Sequence, residues 1–142
     1  MKTKLLFLCT GNSCRSQIAE GLLRHLAGDQ FEVFSAGVEP SRVHPMSLLV
    51  MQEAGIDITD QHSDDVLDYL ESGIDIVISV CDHAAETCPA FPGDVKRIHW
   101  SIKDPFHGWD VDKSKLPDYR RTRDELEIRI KDFLSRRLLH LM

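Results

Sequence analysis

Between an apolar run and a helical pattern, the sequence carries the stretch Cys9-Thr10-Gly11-Asn12-Ser13-Cys14-Arg15-Ser16. The apolar run, residues 5–8, is typical of a strand buried in a parallel sheet, and residues 16–26 show helical periodicity. A loop that joins a strand to a helix turns several backbone N–H groups inward, at the positive end of the helix dipole. We therefore predict an anion-binding loop over residues 9–16.

Two side chains of this loop suit the chemistry of a tetrahedral oxyanion. The amides and the helix dipole lower the pKa of a thiol placed among them, so we expect Cys9 to be a thiolate nucleophile near neutral pH. Arg15 offers a planar fork that can bind two oxygens at once. If the cysteine and the arginine occurred without the rest of the motif, a buried cysteine that happens to precede an arginine would be the simpler interpretation. Here the turn, the strand and the helix fall where the motif requires them. We expect Cys14 to support packing and Asn12 to hold the turn by bonding the loop backbone.

Strand and helix patterns alternate along the rest of the chain. We predict further strands at residues 31–34, 74–80 and 95–100, and helices at residues 45–54, from the cap Ser63 to near Gly73, and from residue 118 onward. This alternation implies one α/β domain over residues 1–142, a three-layer sandwich with a four-stranded parallel sheet covered on both faces. Active groups should lie at the carboxyl ends of its strands, where Cys9, Cys81 and Asp104 all fall.

Composition restricts the partners of the protein. A formal net charge of -6 over 142 residues argues against binding to a nucleic-acid backbone or an anionic membrane. The first apolar run is shorter than a secretory core, and no later stretch approaches membrane-spanning length. We therefore expect a soluble, cytoplasmic protein. In a reducing compartment its four cysteines indicate catalysis or metal binding rather than a disulfide framework.

Three further residues carry candidate chemistry. Asp104 precedes Pro105, which biases it toward an extended backbone, and its carboxyl group could act as a general acid, although Asp-Pro alone often only starts a turn. Cys81 follows the predicted central strand, and Cys88 comes seven residues later. Ester hydrolysis through Cys9 needs no second thiol, whereas a two-electron reduction can be supplied by a dithiol that becomes a disulfide. The pair of Cys81 and Cys88 is therefore the feature that distinguishes a candidate reductase from a candidate hydrolase.

Cysteine, five residues and then arginine and serine, at positions 9, 15 and 16, resembles the phosphate-binding loop of the protein tyrosine phosphatases. Residues 9–17 are similar to those of the thioredoxin-coupled arsenate reductases, one branch of the low-molecular-weight tyrosine phosphatase family. The segment from Cys81 to Pro89 and the order His99-Trp100 before Asp104-Pro105 resemble the same branch. The resemblance extends over essentially the whole chain.

This resemblance implies an arsenate reductase that binds arsenate, or phosphate, through the loop residues Thr10, Gly11, Asn12, Ser13, Cys14, Arg15 and Ser16. Cys9 would attack arsenic while Asp104 assists the departing oxygen. Cys81 would then form a disulfide with Cys9, and Cys88 would convert it to a Cys81–Cys88 disulfide that thioredoxin reduces. We expect a monomer with no tightly bound cofactor.

In some relatives a potassium ion lies beside the loop, and the positions that bind it resemble Asn12, Glu20, Ser35 and Asp64 of this chain. His62 stands where a further ligand of the ion is expected.

Two other functions stay open. A phosphotyrosine phosphatase would need only Cys9, Arg15 and Asp104. A non-catalytic redox or zinc-binding regulator could use Cys81, Cys88, His83 and His99, although the cysteine spacing does not match the usual close zinc-binding pair.

Two segments carry structural expectations of their own. Residues 109–119 look longer than the corresponding part of a typical reductase, and we expect a surface loop there that could touch the substrate mouth. Asp82 as the cap and Pro89 as the stop predict a short helix between Cys81 and Cys88. On a continuous helix the two cysteines lie about 10 Å apart, whereas a disulfide needs Cα atoms within about 7 Å. The helix must therefore unwind when the two cysteines are oxidised.

Overall fold

The structure, a computed structural model, describes residues 2–141. Its strands are β1 (Thr3–Cys9), β2 (Phe31–Gly37), β3 (Ile76–Ser79) and β4 (Lys96–His99). Its helices are α1 (Arg15–Ala27), α2 (Pro45–Glu53), α3 (Asp82–Thr87) and α4 (Leu116–Leu141), with 3-10 turns at Val66–Tyr69 and Lys113–Lys115. The alternation of strands and helices expected from the sequence is confirmed.

The four strands form one sheet in the order β2-β1-β3-β4, and every pair of neighbours is parallel. From β1 the chain passes to β2 on one side and later to β3 on the other. The carboxyl end of β1 is therefore the point where the strand order reverses, which is where open α/β sheets bind ligands. Cys9 is the last residue of β1.

Strand β1 forms the centre of the core. Leu5, Leu6, Phe7 and Leu8 are fully buried, and because successive strand residues point to opposite faces, both faces of the sheet are covered. Helices α1, α2 and α4 pack against one another, whereas α3 packs against β1 and β3. This arrangement confirms the three-layer α/β fold. Within residues 2–141 none of the helices combines the length and the apolar character that a bilayer crossing requires.

Two local predictions near the site are corrected. The helix expected between Ser63 and Gly73 is instead a short 3-10 turn at Val66–Tyr69, and its cap is Asp65, whose carboxylate accepts a hydrogen bond from the backbone N–H of Leu67 at 2.9 Å. Ser63, the expected cap, instead donates its hydroxyl to the carbonyl of Gly11 at 3.2 Å. The polar side chain that was expected to start a helix thus supports the loop after β1.

Candidate active site

The loop after β1 is held by hydrogen bonds to its carbonyl groups. The backbone N–H groups of Val38, Glu39, Ser41 and His44 donate to the carbonyls of residues 9, 10, 11 and 13 respectively. Because the N–H and C=O of a peptide unit point in opposite directions, carbonyls turned toward this neighbouring segment leave amides free to face the other way. The loop can therefore present a concave set of donors to an anion.

Asn12 fixes the turn of the loop. Its φ of 50° lies in the left-handed region, which asparagine tolerates better than most residues. The buried side chain donates to the hydroxyls of Ser16 at 2.7 Å and Ser35 at 2.9 Å, and it accepts from the backbone N–H of Asp64 at 2.9 Å. Asn12 thus holds the turn as expected, but through helix α1, strand β2 and residue 64 rather than through the loop backbone.

Gly37 lets the loop approach β2 closely. A Cβ atom at this position would lie 2.5 Å from the carbonyl oxygen of Thr10, a contact with backbone that no rotamer change relieves. The glycine that ends β2 is therefore a requirement of the loop geometry.

The Cys9 thiol is buried at the floor of the loop. Its sulfur lies 2.8 Å from the hydroxyl of Ser16. The expected depression of its pKa is not found: burial, the largest effect, raises the pKa of Cys9, while the hydrogen bonds from Ser16 and the charge of Arg15 oppose that rise. Sequence reasoning counted the dipole and the arginine but could not weigh the loss of water around the sulfur.

Arg15 and Asp104 lie together above this thiol. One guanidinium nitrogen of Arg15 donates to the carbonyl of Ile102 at 2.9 Å, and another lies 3.4 Å from a carboxylate oxygen of Asp104. The second carboxylate oxygen accepts from the backbone N–H of Phe106 at 3.0 Å, which fixes the side chain in the mouth of the site. A cavity of about 230 Å³ lies between the loop and these groups, lined also by Phe106 and Trp109.

A second buried thiol lies next to the loop. Cys81 ends the segment after β3, and its sulfur is 3.3 Å from the hydroxyl of Thr10. The same sulfur accepts a hydrogen bond from the backbone N–H of Ala84 at 3.4 Å, so Cys81, not the expected Asp82, is the cap of α3. The predicted helix between the cysteines is otherwise confirmed at Asp82–Thr87.

Cys88 lies at the opposite end of α3, where it is half-buried and its sulfur accepts a hydrogen bond from Arg97 at 3.1 Å. All four cysteines are free thiols. The structure thus places Cys9, Arg15, Asp104 and Cys81 around one edge of the sheet and keeps Cys88 one helix away from them.

The residues proposed to hold potassium are partly brought together. The Ser35 hydroxyl donates to one oxygen of Glu20 at 2.5 Å, and the Arg24 guanidinium donates to the other at 2.5 Å. Asp64 instead accepts a bond from the Tyr69 hydroxyl at 2.6 Å. A cation from the protein's own Arg24 therefore already pairs with the carboxylate expected to bind the ion.

The zinc alternative lacks a ligand cluster. Across residues 2–141 no three His, Cys, Asp or Glu side chains are grouped so that they could hold a metal ion. His99 is instead bonded to Ser79 at 2.7 Å and to Asp82 at 2.8 Å.

Sequence reasoning missed His44, a fully buried residue that joins the loop to the Asp104 segment. Its Nδ1 accepts from the N–H of Met46, capping α2, and this fixes the tautomer in which Nε2–H donates to the carbonyl of Gly108 at 2.7 Å. The ring stacks on Trp109 with centroids 5.2 Å apart. Trp109 also lines the cavity, so the stretch that begins there touches the mouth of the site, while residues 110–115 are mostly exposed, as a surface loop is. A histidine directly before Pro45, at a helix start, was the available signal.

Comparison with known proteins identifies relatives over nearly the full length. A family model described as "Low molecular weight phosphotyrosine protein phosphatase" matches residues 4–140. An arsenate reductase of Halalkalibacterium halodurans is 46% identical over 132 residues, which are 93% of this chain and 95% of that protein.

Two solved structures resemble the fold closely. An arsenate reductase in the phosphate-binding state is 34% identical with a TM-score of 0.76, covering 96% of this chain and 98% of that one. A thioredoxin-dependent arsenate reductase of Corynebacterium glutamicum is 29% identical with a TM-score of 0.76, covering 98% of this chain and 63% of that one.

Proposed function

This chain belongs to the low-molecular-weight phosphotyrosine protein phosphatase family, and within that family we propose that it reduces arsenate to arsenite with three cysteines and is recycled by thioredoxin. One observation carries the proposal: the buried thiol of Cys81 lies 3.3 Å from the Thr10 hydroxyl, at the edge of the oxyanion loop. A phosphatase of this kind needs no second thiol there. The similarity to arsenate reductases, one of them thioredoxin-dependent, supports the same function.

The first step forms a bond between sulfur and arsenic. The Cys9 thiolate attacks arsenate, whose oxygens are held by the Arg15 fork and the loop amides. Ser16 and Arg15 favour the thiolate that burial disfavours. Asp104, fixed beside Arg15, donates the proton with which one oxygen leaves as water. The product is a Cys9 adduct of arsenic in its original oxidation state.

The second step transfers two electrons. The Cys81 thiolate attacks the sulfur of Cys9, a sulfur–sulfur bond forms, and the pair of electrons in the sulfur–arsenic bond goes to arsenic, which leaves as arsenite. Cys88 then attacks Cys81, so that a Cys81–Cys88 disulfide forms and Cys9 leaves as a thiolate. A thioredoxin dithiol reduces that disulfide by the same exchange chemistry.

The phosphatase remains the second candidate because the site also fits it. Cys9, Arg15 and Asp104 meet in one cavity, and these three groups suffice to hydrolyse a phosphate ester. The loop suits both tetrahedral anions, so weak phosphatase activity is compatible with the reductase.

The remaining expectations belong to the same proposal. The enzyme acts as a cytoplasmic monomer, since every group in the mechanism comes from one chain and its four free thiols suit a reducing compartment. A potassium ion beside the loop would be held by Asn12, Glu20, Ser35 and Asp64, and it would compete with Arg24 for the carboxylate of Glu20.

Arsenate-dependent oxidation of NADPH tests the function, with purified thioredoxin and thioredoxin reductase present. The proposal predicts continuous turnover by the wild-type protein. A Cys88→Ser variant is predicted to keep phosphatase activity but to reduce at most one equivalent of arsenate, because its disulfide stops at Cys9–Cys81.

Two results would overturn the proposal. Absence of NADPH oxidation together with efficient phosphotyrosine hydrolysis would favour the phosphatase. Normal recycling of Cys88→Ser by thioredoxin would disprove the assigned order of disulfides.

A further inference from the structure

Strand β4 holds both ends of helix α3. Arg97 and His99 are two positions apart on this strand, so their side chains leave the same face of the sheet. His99 bonds Asp82, the first residue of the helix, and also Ser79. Arg97 bonds Cys88, the residue that follows the helix. Each end of the segment between the two cysteines therefore has its own attachment to β4.

The Arg97 guanidinium makes three contacts with the segment after α3. One terminal nitrogen donates to the Cys88 sulfur at 3.1 Å, and the other donates to the carbonyl of Pro89 at 3.1 Å. The guanidinium carbon lies 5.9 Å from the centre of the Phe91 ring. In the described chain, residues 2–141, no carboxylate forms a salt bridge with Arg97, and its guanidinium hydrogen-bonds the Cys88 sulfur and the Pro89 carbonyl instead.

We propose that Arg97 is a positioning residue for Cys88 in the second disulfide exchange, an inference that rests on the function proposed above. In that exchange the Cys88 thiolate attacks Cys81, the bond between the two cysteine sulfurs forms, and the Cys9–Cys81 bond breaks with Cys9 leaving as a thiolate. Arg97 holds the attacking sulfur and supplies a positive charge next to the anionic nucleophile.

The geometry of the helix explains why this sulfur needs a guide. A helix spanning Asp82–Thr87 keeps the two cysteines about 10 Å apart along its axis, and a disulfide requires about 7 Å or less between Cα atoms. One end of the segment must therefore move. Cys81 is buried, whereas Cys88 is half-buried and held by the flexible side chain of Arg97, so Cys88 is the end that moves and Arg97 can follow it.

An arginine suits this role better than a lysine. Its two terminal nitrogens bond the sulfur and the Pro89 carbonyl at the same time, which fixes the direction of the Cys88 side chain. A lysine would keep the charge but could not reproduce this two-point contact. The lysine variant therefore separates the effect of charge from the effect of orientation.

The experiment follows the disulfides through one turnover without thioredoxin. The reduced protein is mixed with arsenate, quenched at successive times with an alkylating agent, and its disulfides are mapped by mass. In Arg97→Met we expect the Cys9–Cys81 disulfide to form at the wild-type rate but to be converted to Cys81–Cys88 about tenfold more slowly or worse, as the loss of a charge-assisted hydrogen bond predicts. Arg97→Lys should fall between the two.

Two controls make the result specific. Lys96→Met removes a positive charge from the neighbouring position of β4, whose side chain lines a different groove beside α4, and should behave as wild type. In a Cys88→Ser background, Arg97→Met should leave the single release of arsenite unchanged. Phosphatase activity of Arg97→Met should match that of wild type and shows that the loop is intact.

The outcomes distinguish the inference from the proposed function. If the wild-type protein forms no Cys81–Cys88 disulfide after arsenate, the function itself is wrong. If it does, but Arg97→Met converts its disulfide at the wild-type rate, the role of Arg97 is wrong. Equal slowing of both disulfides in Arg97→Met would show a general structural role and would also overturn the inference.

Discussion

The loop of residues 9–16 and the segment of residues 81–91 both carry reactive thiols, but they are built in opposite ways. In the loop, Asn12 and Ser16 are fully buried, and hydrogen bonds tie the loop to β2, to α1 and to residues 38–44. In the later segment, α3 is only six residues long, and Ala84 is its one buried residue. Its other side chains face solvent.

This difference matches what each region must do. The loop binds a tetrahedral oxyanion, whose oxygens have a constant arrangement. Hydrogen-bond donors that are already in place therefore stabilise this anion without reorganisation of the loop. The segment must change shape to form a disulfide, and a helix of less than two turns depends on its tertiary contacts for stability. Opening of α3 therefore costs less free energy than opening of the loop, and α3 is the segment that must open for the Cys81–Cys88 disulfide to form.

The largest predicted effect is the loss of the loop thiol. Cys9→Ser should abolish both arsenate reduction and phosphatase activity, by several orders of magnitude, because both reactions begin with attack by the Cys9 sulfur. Cys81→Ser should abolish continuous reduction but keep phosphatase activity. Assays of both reactions on the two variants separate the regions, and phosphatase loss in Cys81→Ser at wild-type stability would contradict that separation.

The next largest effect concerns the acid at the mouth of the loop. Asp104→Asn should slow both reactions by about 10²–10⁴-fold, the range expected for loss of a general acid. The loss of phosphatase rate should be smaller for aryl phosphates with good leaving groups, because the departing oxygen of such a substrate needs less protonation. Asp112→Asn alters a half-buried carboxylate that caps the Lys113–Lys115 turn, and it should leave the rates unchanged. Similar losses for all leaving groups would argue that Asp104 acts only structurally.

A smaller effect tests how the loop is joined to the Asp104 segment. Burial lowers the pKa of His44, so below about pH 6.5 the unfolded chain binds a proton that the folded protein resists. The free energy of unfolding should therefore fall as pH drops below that value. In His44→Asn, which can keep the helix cap, this part of the pH dependence should disappear.

Urea unfolding at pH 7 and pH 5.5 measures this difference, with His25→Asn, an exposed histidine in the last turn of α1, as the control. An unchanged pH dependence in His44→Asn would show that His44 does not titrate as a buried neutral ring. At pH 7 the variant should also lose roughly 1–3 kcal/mol, from the Trp109 stack and the Gly108 hydrogen bond.

The smallest effect is expected at the second cysteine of the loop. Burial raises the pKa of Cys14 to about 11, so its thiol is neutral under assay conditions and is not a second nucleophile. Cys14→Ser should keep both activities within a few-fold and cost roughly 1 kcal/mol of stability. Complete inactivity of a folded Cys14→Ser protein, judged by its thermal unfolding, would assign this residue a chemical role.

Sequence predicted what is local or follows from sheet geometry. The loop could be predicted because its cysteine, turn and arginine are adjacent in the chain, and the parallel-sheet rule placed Cys81 and Asp104 at the same edge. The contacts of His44 and Arg97 could not be predicted. Each depends on a distant segment folding back, residues 106–109 onto His44 and residues 88–91 onto β4.

Two errors have the same physical origin. The pKa of Cys9 is set mainly by its burial, which a linear motif does not reveal. Ser63 was predicted to cap a helix, yet its hydroxyl bonds the carbonyl of Gly11, more than fifty residues away in the chain. In both cases tertiary structure decided a property that sequence reasoning had assigned to local pattern.

Hydrogen exchange of the reduced and the oxidised protein tests the contrast between the two regions most directly. After arsenate has produced the Cys81–Cys88 disulfide, confirmed by mass, exchange across residues 82–87 should rise, while β1 and the helix α4 keep their protection. Equal protection of residues 82–87 in both redox states would contradict the account, because a disulfide between these cysteines cannot form across an intact α3.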